Sequence, residues 1–139
     1  MTARKASREA RGAPLGFTLL ELMIVITIMG ILMAIAAGNY QRSVLRSKEA
    51  ALKQDLFVMR NAIEQFTLDK EAAPQSLDEL VSAGYLRAIP KDPITNAVDW
   101  RPIYDDVLLT PEQVVTGITD VKSSSEDVSP FEGTPYSSW

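Results

Sequence analysis

Two hydrophobic patterns follow one another in the first half of the chain. From Phe17 to Gly38 the residues are almost wholly apolar, interrupted by one carboxylate, Glu21. At about 1.5 Å per residue this stretch spans roughly 30 Å as a helix, the thickness of a bilayer's hydrocarbon core. Beyond it, Leu52, Leu56, Met59, Ile63 and Phe66 recur at spacings of four, three, four and three, which is one apolar stripe on an amphipathic helix. Arg42, Arg46, Lys48, Lys53 and Arg60 alternate with Glu49, Asp55, Glu64 and Asp69 on its other faces. The stripe lasts barely two heptads, so a covering sheet is expected rather than a coiled coil. Together the patterns predict one helix from about Phe17 to about Ala72, stopping before Pro74 because the residue ahead of a proline avoids the helical region.

The second half is punctuated differently. Ser76-Leu77-Asp78-Glu79 has the form of a capping box, and the segment it opens closes at Gly84, which predicts a short second helix burying Leu77, Leu80 and Val81. Ile89-Pro90-Lys91-Asp92-Pro93 then forces a turn. Val98 to Val107 and Gln113 to Val121 read as strands, giving two or three short antiparallel strands with Trp100 and Tyr104 as core aromatics over the helix stripe. The final polar, turn-rich stretch ends with Tyr136 and Trp139, aromatics placed to staple a loose tail. The fold class expected is α+β. Its divisions are 1–16, a basic leader; 17–38, the apolar half of the helix; 39–72, the amphipathic half; and 73–139, a small globular head.

Charge sharpens this outline. Arg4, Lys5, Arg8 and Arg11 stand against Glu9 ahead of the apolar segment, with Pro14 and no earlier apolar run, so the apolar region follows the leader instead of belonging to a removable secretory signal. Basic residues at that position hold the leader in the cytoplasm and send the carboxyl-terminal part across the membrane. An ionised Glu21 one turn inside the core costs a few kcal/mol, so it needs either a partner or a path to water. Gly30 and Gly38 each lower helix stability by roughly 1 kcal/mol relative to alanine. Their uses there are close helix packing, with Ala34 and Ala37, or local unwinding. The chain has no cysteine and no histidine, which excludes disulfides and thiolate metal sites and removes the commonest general base. Its net charge of −4 argues against a nucleic-acid partner.

Gly16, Phe17 and Glu21, behind that basic leader, resemble the class III signal of type IV pilins and type II secretion pseudopilins. "PQSLDELVSAGYL" and "IPKDP" resemble the helix-to-sheet loop of the major pseudopilin more than that of a long adhesive pilin. The resemblance implies the pilin fold, cleavage by a prepilin peptidase between Gly16 and Phe17, and methylation of the new Phe17 amine. Removing four positive charges and one negative charge would take the formal balance from −4 to about −7. The physics of the cut agrees with it, since an ammonium at Phe17 lies one helical turn from Glu21 at matching depth. In a filament, the resemblance implies, Glu21 meets the Phe17 amine of a neighbouring subunit and sets axial register. Where the family often carries proline, this chain has Gly38, which permits unwinding without removing an amide donor.

One cluster has ligand chemistry. Asp120, Ser123, Ser125, Glu126 and Asp127 put hard oxygen atoms on a loop, a donor set suited to Ca²⁺ or simply to water. The related pseudopilins hold calcium in this loop, with an aspartate four residues before the final tryptophan. This chain has Pro135 there, which favours the solvated loop. Asp105 and Asp106, adjacent on a strand, point to opposite faces and read as a solvated strand end rather than an acid-base pair.

The function expected is therefore noncatalytic: a major pseudopilin, single-pass in the inner membrane with its head in the periplasm. It would polymerise as a helical homo-oligomer into a periplasmic filament that drives protein export. The resemblance implies minor pseudopilins, an inner-membrane platform and its cytoplasmic ATPase as partners. A type IV pilin of a surface fibre for adhesion or motility is the alternative. A signal-anchored periplasmic enzyme is disfavoured by the missing histidine and cysteine.

Overall fold

The structure, a computed structural model, describes residues 16–139; the leader expected from sequence falls almost wholly on residues outside these. Helix α1 (Leu19–Lys70) is followed by α2 (Leu77–Ser82), strands β1 (Arg101–Thr110) and β2 (Gln113–Lys122), and a 3₁₀ turn (Tyr136–Ser138). The chain divides into two compact units, up to Gln41 and from Arg42 onward.

The first unit is the apolar part of α1. Thr18 caps it: the Glu21 amide donates to Thr18 Oγ1 at 3.1 Å and the Leu22 amide to the Thr18 carbonyl at 3.1 Å. Thr18 and Glu21 thus stand at the spacing of a capping box, a signal at the start of α1 that the sequence reading missed. The one hydroxyl farther in, Thr27 Oγ1, bonds back to the Met23 carbonyl at 2.7 Å, so it presents no unsatisfied donor. This segment is long and apolar enough to cross a membrane, and none of it is buried in the protein. A Cβ placed on Gly30 or Gly38 would meet nothing within 4 Å, so within this chain neither glycine is needed for close packing.

The second unit is built on the remainder of α1. Leu52, Leu56, Met59, Ile63 and Phe66 are buried, as their spacing requires, together with Leu80 of α2, Leu86, Trp100, Ile118, Val121 and Tyr136. The sheet is a single antiparallel hairpin, with Arg101 opposite Lys122 and Thr110 opposite Gln113. The two strands are ten residues each; β1 begins and ends three residues later than the expected Val98 to Val107, β2 runs one residue past the expected Val121, and there is no third strand among the described residues. α1 ends at Lys70, where Glu71 turns left-handed at φ 51°, ahead of Pro74. α2 is capped as predicted by Ser76, whose side chain accepts from the Glu79 amide. The reciprocal bond is displaced by one residue, because Glu79 accepts from the Gln75 amide at 2.7 Å instead of from Ser76.

Two expectations are corrected. Tyr104 is 56% exposed and only its hydroxyl reaches inward, donating to the Gln75 carbonyl at 3.3 Å, whereas Trp100 is buried with its indole N–H on the Pro90 carbonyl at 2.6 Å. A register shift between Ile103 and Tyr104 breaks the alternation that would have placed both rings inside. Asp105 and Asp106 are exposed as expected, but in mid-strand, where Thr116 opposite donates to Asp106.

Gly117 of β2 is where the hairpin meets the Ala73–Pro74 segment that links α1 to α2. A Cβ there would lie 2.5 Å from Ala73 Cβ and 2.8 Å from the Pro74 carbonyl oxygen, while the next residue's amide, Ile118 N, bonds that same oxygen at 2.8 Å. Neither neighbour is a flexible side-chain tip, so Gly117→Ala is expected to destabilise the head by about 1–3 kcal/mol through overpacking. A lowered melting temperature by circular dichroism of the detergent-solubilised protein checks this, and an unchanged melt refutes the close approach.

Candidate functional site

At the amino-terminal end the geometry is open. Gly16 is exposed, Phe17 is 84% exposed, and both precede the first helical residue, Leu19, so the Gly16–Phe17 bond lies in non-helical chain just ahead of the Thr18 cap. Glu21 lies in the first turn of α1, also exposed. There its carboxylate faces the positive end of the helix dipole and costs less than the same charge deeper in the segment. It is the backbone amide of Glu21, and not the carboxylate, that Thr18 engages. Among the described residues no ion pair involves that carboxylate.

At the other end, of the five oxygen-bearing residues singled out in sequence, Asp120 and Glu126 pair with arginines, whereas Ser123, Ser125 and Asp127 are linked to one another through hydroxyl-to-amide bonds. Asp120 Oδ1 accepts from Arg60 Nε at 2.6 Å and from the Val121 amide at 2.7 Å. Ser123 is buried and donates to Asp92. Ser125 Oγ accepts from the Asp127 amide at 3.3 Å. Glu126 pairs with Arg101 at 3.2 Å and accepts from Ser137. The Asp127 carbonyl accepts from the Tyr136 amide at 2.9 Å. Among the described residues no group of three or more Asp and Glu side chains converges as a metal set. Val128 and Pro135 instead face each other in an isolated antiparallel bridge, closed by the flanking residues: the Tyr136 amide donates to the Asp127 carbonyl and the Ser129 amide to the Thr134 carbonyl, each at 2.9 Å.

What organises this loop comes from α1, in charged residues that the sequence pattern places on faces other than the apolar stripe. Glu49 is only 5% exposed, and its Oε1 accepts from the Ser129 hydroxyl at 2.7 Å and the Tyr136 hydroxyl at 2.7 Å. The signal was present: Glu49 lies three residues before Leu52 and so continues the apolar stripe. A carboxylate on that stripe needs hydrogen-bond donors, and the tail supplies them. Arg46, Lys53 and Arg60 recur every seven residues along the same side. The Arg46 guanidinium lies 4.7 Å from the centre of the Phe131 ring, and Lys53 Nζ lies 4.8 Å from that of Trp139 while pairing with Glu132. Asp92, in the turn predicted from its flanking prolines, is completely buried and accepts from the Ile94 amide at 2.8 Å as well as from Ser123, which ties that turn to the end of β2.

The pattern described as the prokaryotic N-terminal methylation motif matches residues 15–37, spanning Gly16, Phe17 and Glu21. Type II secretion system core protein G of Klebsiella pneumoniae is 31% identical over 140 residues, covering 89% of this chain and 93% of that protein. The chain belongs to the core protein G family of type II secretion systems. The Escherichia coli (strain K12) member is 33% identical over 132 residues, covering 81% of each chain. Outside the family, the type IV major fimbrial protein FimA of Dichelobacter nodosus is 48% identical over 58 residues, 42% of this chain and 37% of that protein. No solved structure matches. Family membership and the unburied apolar segment of α1 together make this core protein G relative a membrane-anchored, envelope-associated protein.

The Tyr136 hydroxyl is pushed up from 10.0 to about 12, chiefly by burial and then by the Glu49 carboxylate to which it donates. Because the folded value lies above the unfolded one, the neutral phenol stabilises the fold fully below pH 10.0, and that contribution is lost as pH rises towards about 12. Ionisation of Tyr136, read as the difference in tyrosinate absorbance between wild type and Tyr136→Phe, should therefore accompany melting of the head in that window. Tyr136→Phe should remove this pH dependence and, at neutral pH, cost about 1–3 kcal/mol by leaving buried Glu49 one donor short. An alkaline titration of Tyr136 with the head still folded would overturn both.

Proposed function

We propose that this chain is a noncatalytic structural subunit, the major pseudopilin of a type II secretion system. After cleavage it stays in the inner membrane with its head in the periplasm, and it polymerises into a filament that drives export. The observation that carries this reading is an apolar helix segment with no covering surface of its own and a single carboxylate at its start, in a chain that aligns with core protein G over nearly its whole length. A helix that buries nothing within its own chain is suited to exchanging lipid for the same segment of other copies. That exchange gains little net hydrophobic free energy, because lipid tails are as apolar as leucine. Extraction therefore needs outside work, for which a cytoplasmic ATPase acting through an inner-membrane platform is the source, with minor pseudopilins as further filament partners.

The alternative, a type IV pilin of a surface fibre, has the higher identity but over only 37% of the fimbrial protein, so it speaks for a shared segment more than for a shared head. Coverage of 93% favours the pseudopilin reading.

Phe17 becomes the mature amino terminus in this reading. Intact-mass analysis of membrane-extracted protein should show loss of residues 1–16 and one added methyl group, and an uncleaved chain in a host with active prepilin peptidase would overturn the processing. Glu21→Ala keeps the Thr18 cap, which uses the backbone amide, and makes the segment less polar, so cleavage and insertion should persist. Filament yield, measured by cross-linking or shearing, should fall sharply. Wild-type yield from this variant would show that Glu21 pairs with nothing during assembly.

A further inference from the structure

Arg60 of α1 is surrounded by oxygen. Its Nε donates to Asp120 Oδ1 at 2.6 Å, and its Nη2 donates to the Val121 carbonyl oxygen at 3.1 Å and to the Trp139 main-chain oxygen at 2.8 Å. One carboxylate and two main-chain oxygens, drawn from the end of β2 and the end of the tail, thus converge on a single cation. Hard oxygens of this kind, on a strand end and a following loop, would otherwise suit a calcium ion. Here the positive charge is supplied by the chain. Because the guanidinium is planar, permanently charged and forked, it holds oxygens on two separate segments at once.

We propose that Arg60 is a built-in cation for the carboxyl-terminal loop, so that this head closes its tail without Ca²⁺. Asp120, which would be the natural first ligand of a metal here, is engaged by Arg60 and by the Val121 amide. Glu126 is engaged by Arg101 and Ser137, and Pro135 supplies no side-chain oxygen. A metal entering beside Asp120 would have to displace a cation already hydrogen-bonded to its ligands. The remaining charges of the same helix side extend the closure: Arg46 against Phe131, Glu49 beneath Ser129 and Tyr136, and Lys53 between Glu132 and Trp139. The tail is in this way held by side chains of α1 at positions 46, 49, 53 and 60, with no step that depends on an ion from the medium. All of these contacts lie within the unit from Arg42 onward, so the closure does not depend on filament assembly.

The test uses the full-length protein in detergent, prepared in EDTA and then given millimolar CaCl2, with thermal melting and amide hydrogen exchange as readouts. Wild-type melting curves, and protection of the Ser129, Tyr136 and Trp139 amides, should be the same with and without CaCl2. Arg60→Met keeps the length and apolar stem but removes the guanidinium, and protection of those three amides should then fall about tenfold or more, because bonds to a charged donor are lost. Arg60→Lys keeps a charge without the fork and should give a smaller loss in the same amides. A rise in wild-type melting temperature or protection on adding CaCl2 overturns the proposal, and so does undiminished protection in Arg60→Met. Should Arg60→Met fail to fold, the wild-type calcium comparison and Arg60→Lys still decide it.

Discussion

An apolar stripe on an otherwise charged helix must be covered, and the head of this protein is the cover. Leu52, Leu56, Met59, Ile63 and Phe66 face one way because their spacing leaves them no choice, and a lone helix would expose them all. α2 contributes Leu80, the hairpin contributes Ile118 and Val121, and the tail contributes Tyr136. With a single two-stranded sheet among the described residues, the covering layer is thin. Isolated hairpins are marginal in water, so the sheet depends on the helix as much as the helix depends on it.

Polar groups carry the parts of this closure that apolar contact cannot orient. Burying hydrophobic surface is non-directional, whereas Glu49, Asp92 and Arg60 each require particular donors or acceptors at particular places. Glu49 accepts two hydroxyl bonds from the tail, Asp92 joins the proline-bounded turn to Ser123, and Arg60 gathers oxygens from β2 and the tail. Every buried side-chain nitrogen and oxygen among the described residues has a partner. A tail with so few apolar residues acquires one position by this means, without a disulfide to hold it.

The amino-terminal segment follows the opposite rule. Nothing in it is buried, its glycines meet no neighbour, and its only acid stands in the first turn, where the helix dipole makes a negative charge least unfavourable. Such a segment is finished by its surroundings, first lipid and then, in the proposed filament, other copies. The covered and uncovered parts of α1 thus divide the labour between a stable head and an assembling helix.

Elements set by local periodicity or local chemistry were legible in the residues alone: the apolar segment, the stripe, the end of α1 before Pro74, the Ser76 cap, the turn at Pro90 and Pro93, and the Gly16–Phe17–Glu21 signature. Each depends on neighbours within a few positions, and such neighbours are visible along the chain. Spacing sets Glu49 in line with the stripe, but only tertiary structure decided which charges on α1 find partners. Glu49 and Lys48 are adjacent and equally polar, yet one is buried under Tyr136 and the other is exposed, because partners 80 and 87 residues away reach only the former. Tyr104 and Trp100 looked alike until a register shift in the hairpin separated them. The oxygen-rich loop read as a place for calcium or water because sequence displays its donors but not the Arg60 guanidinium folded onto them from α1.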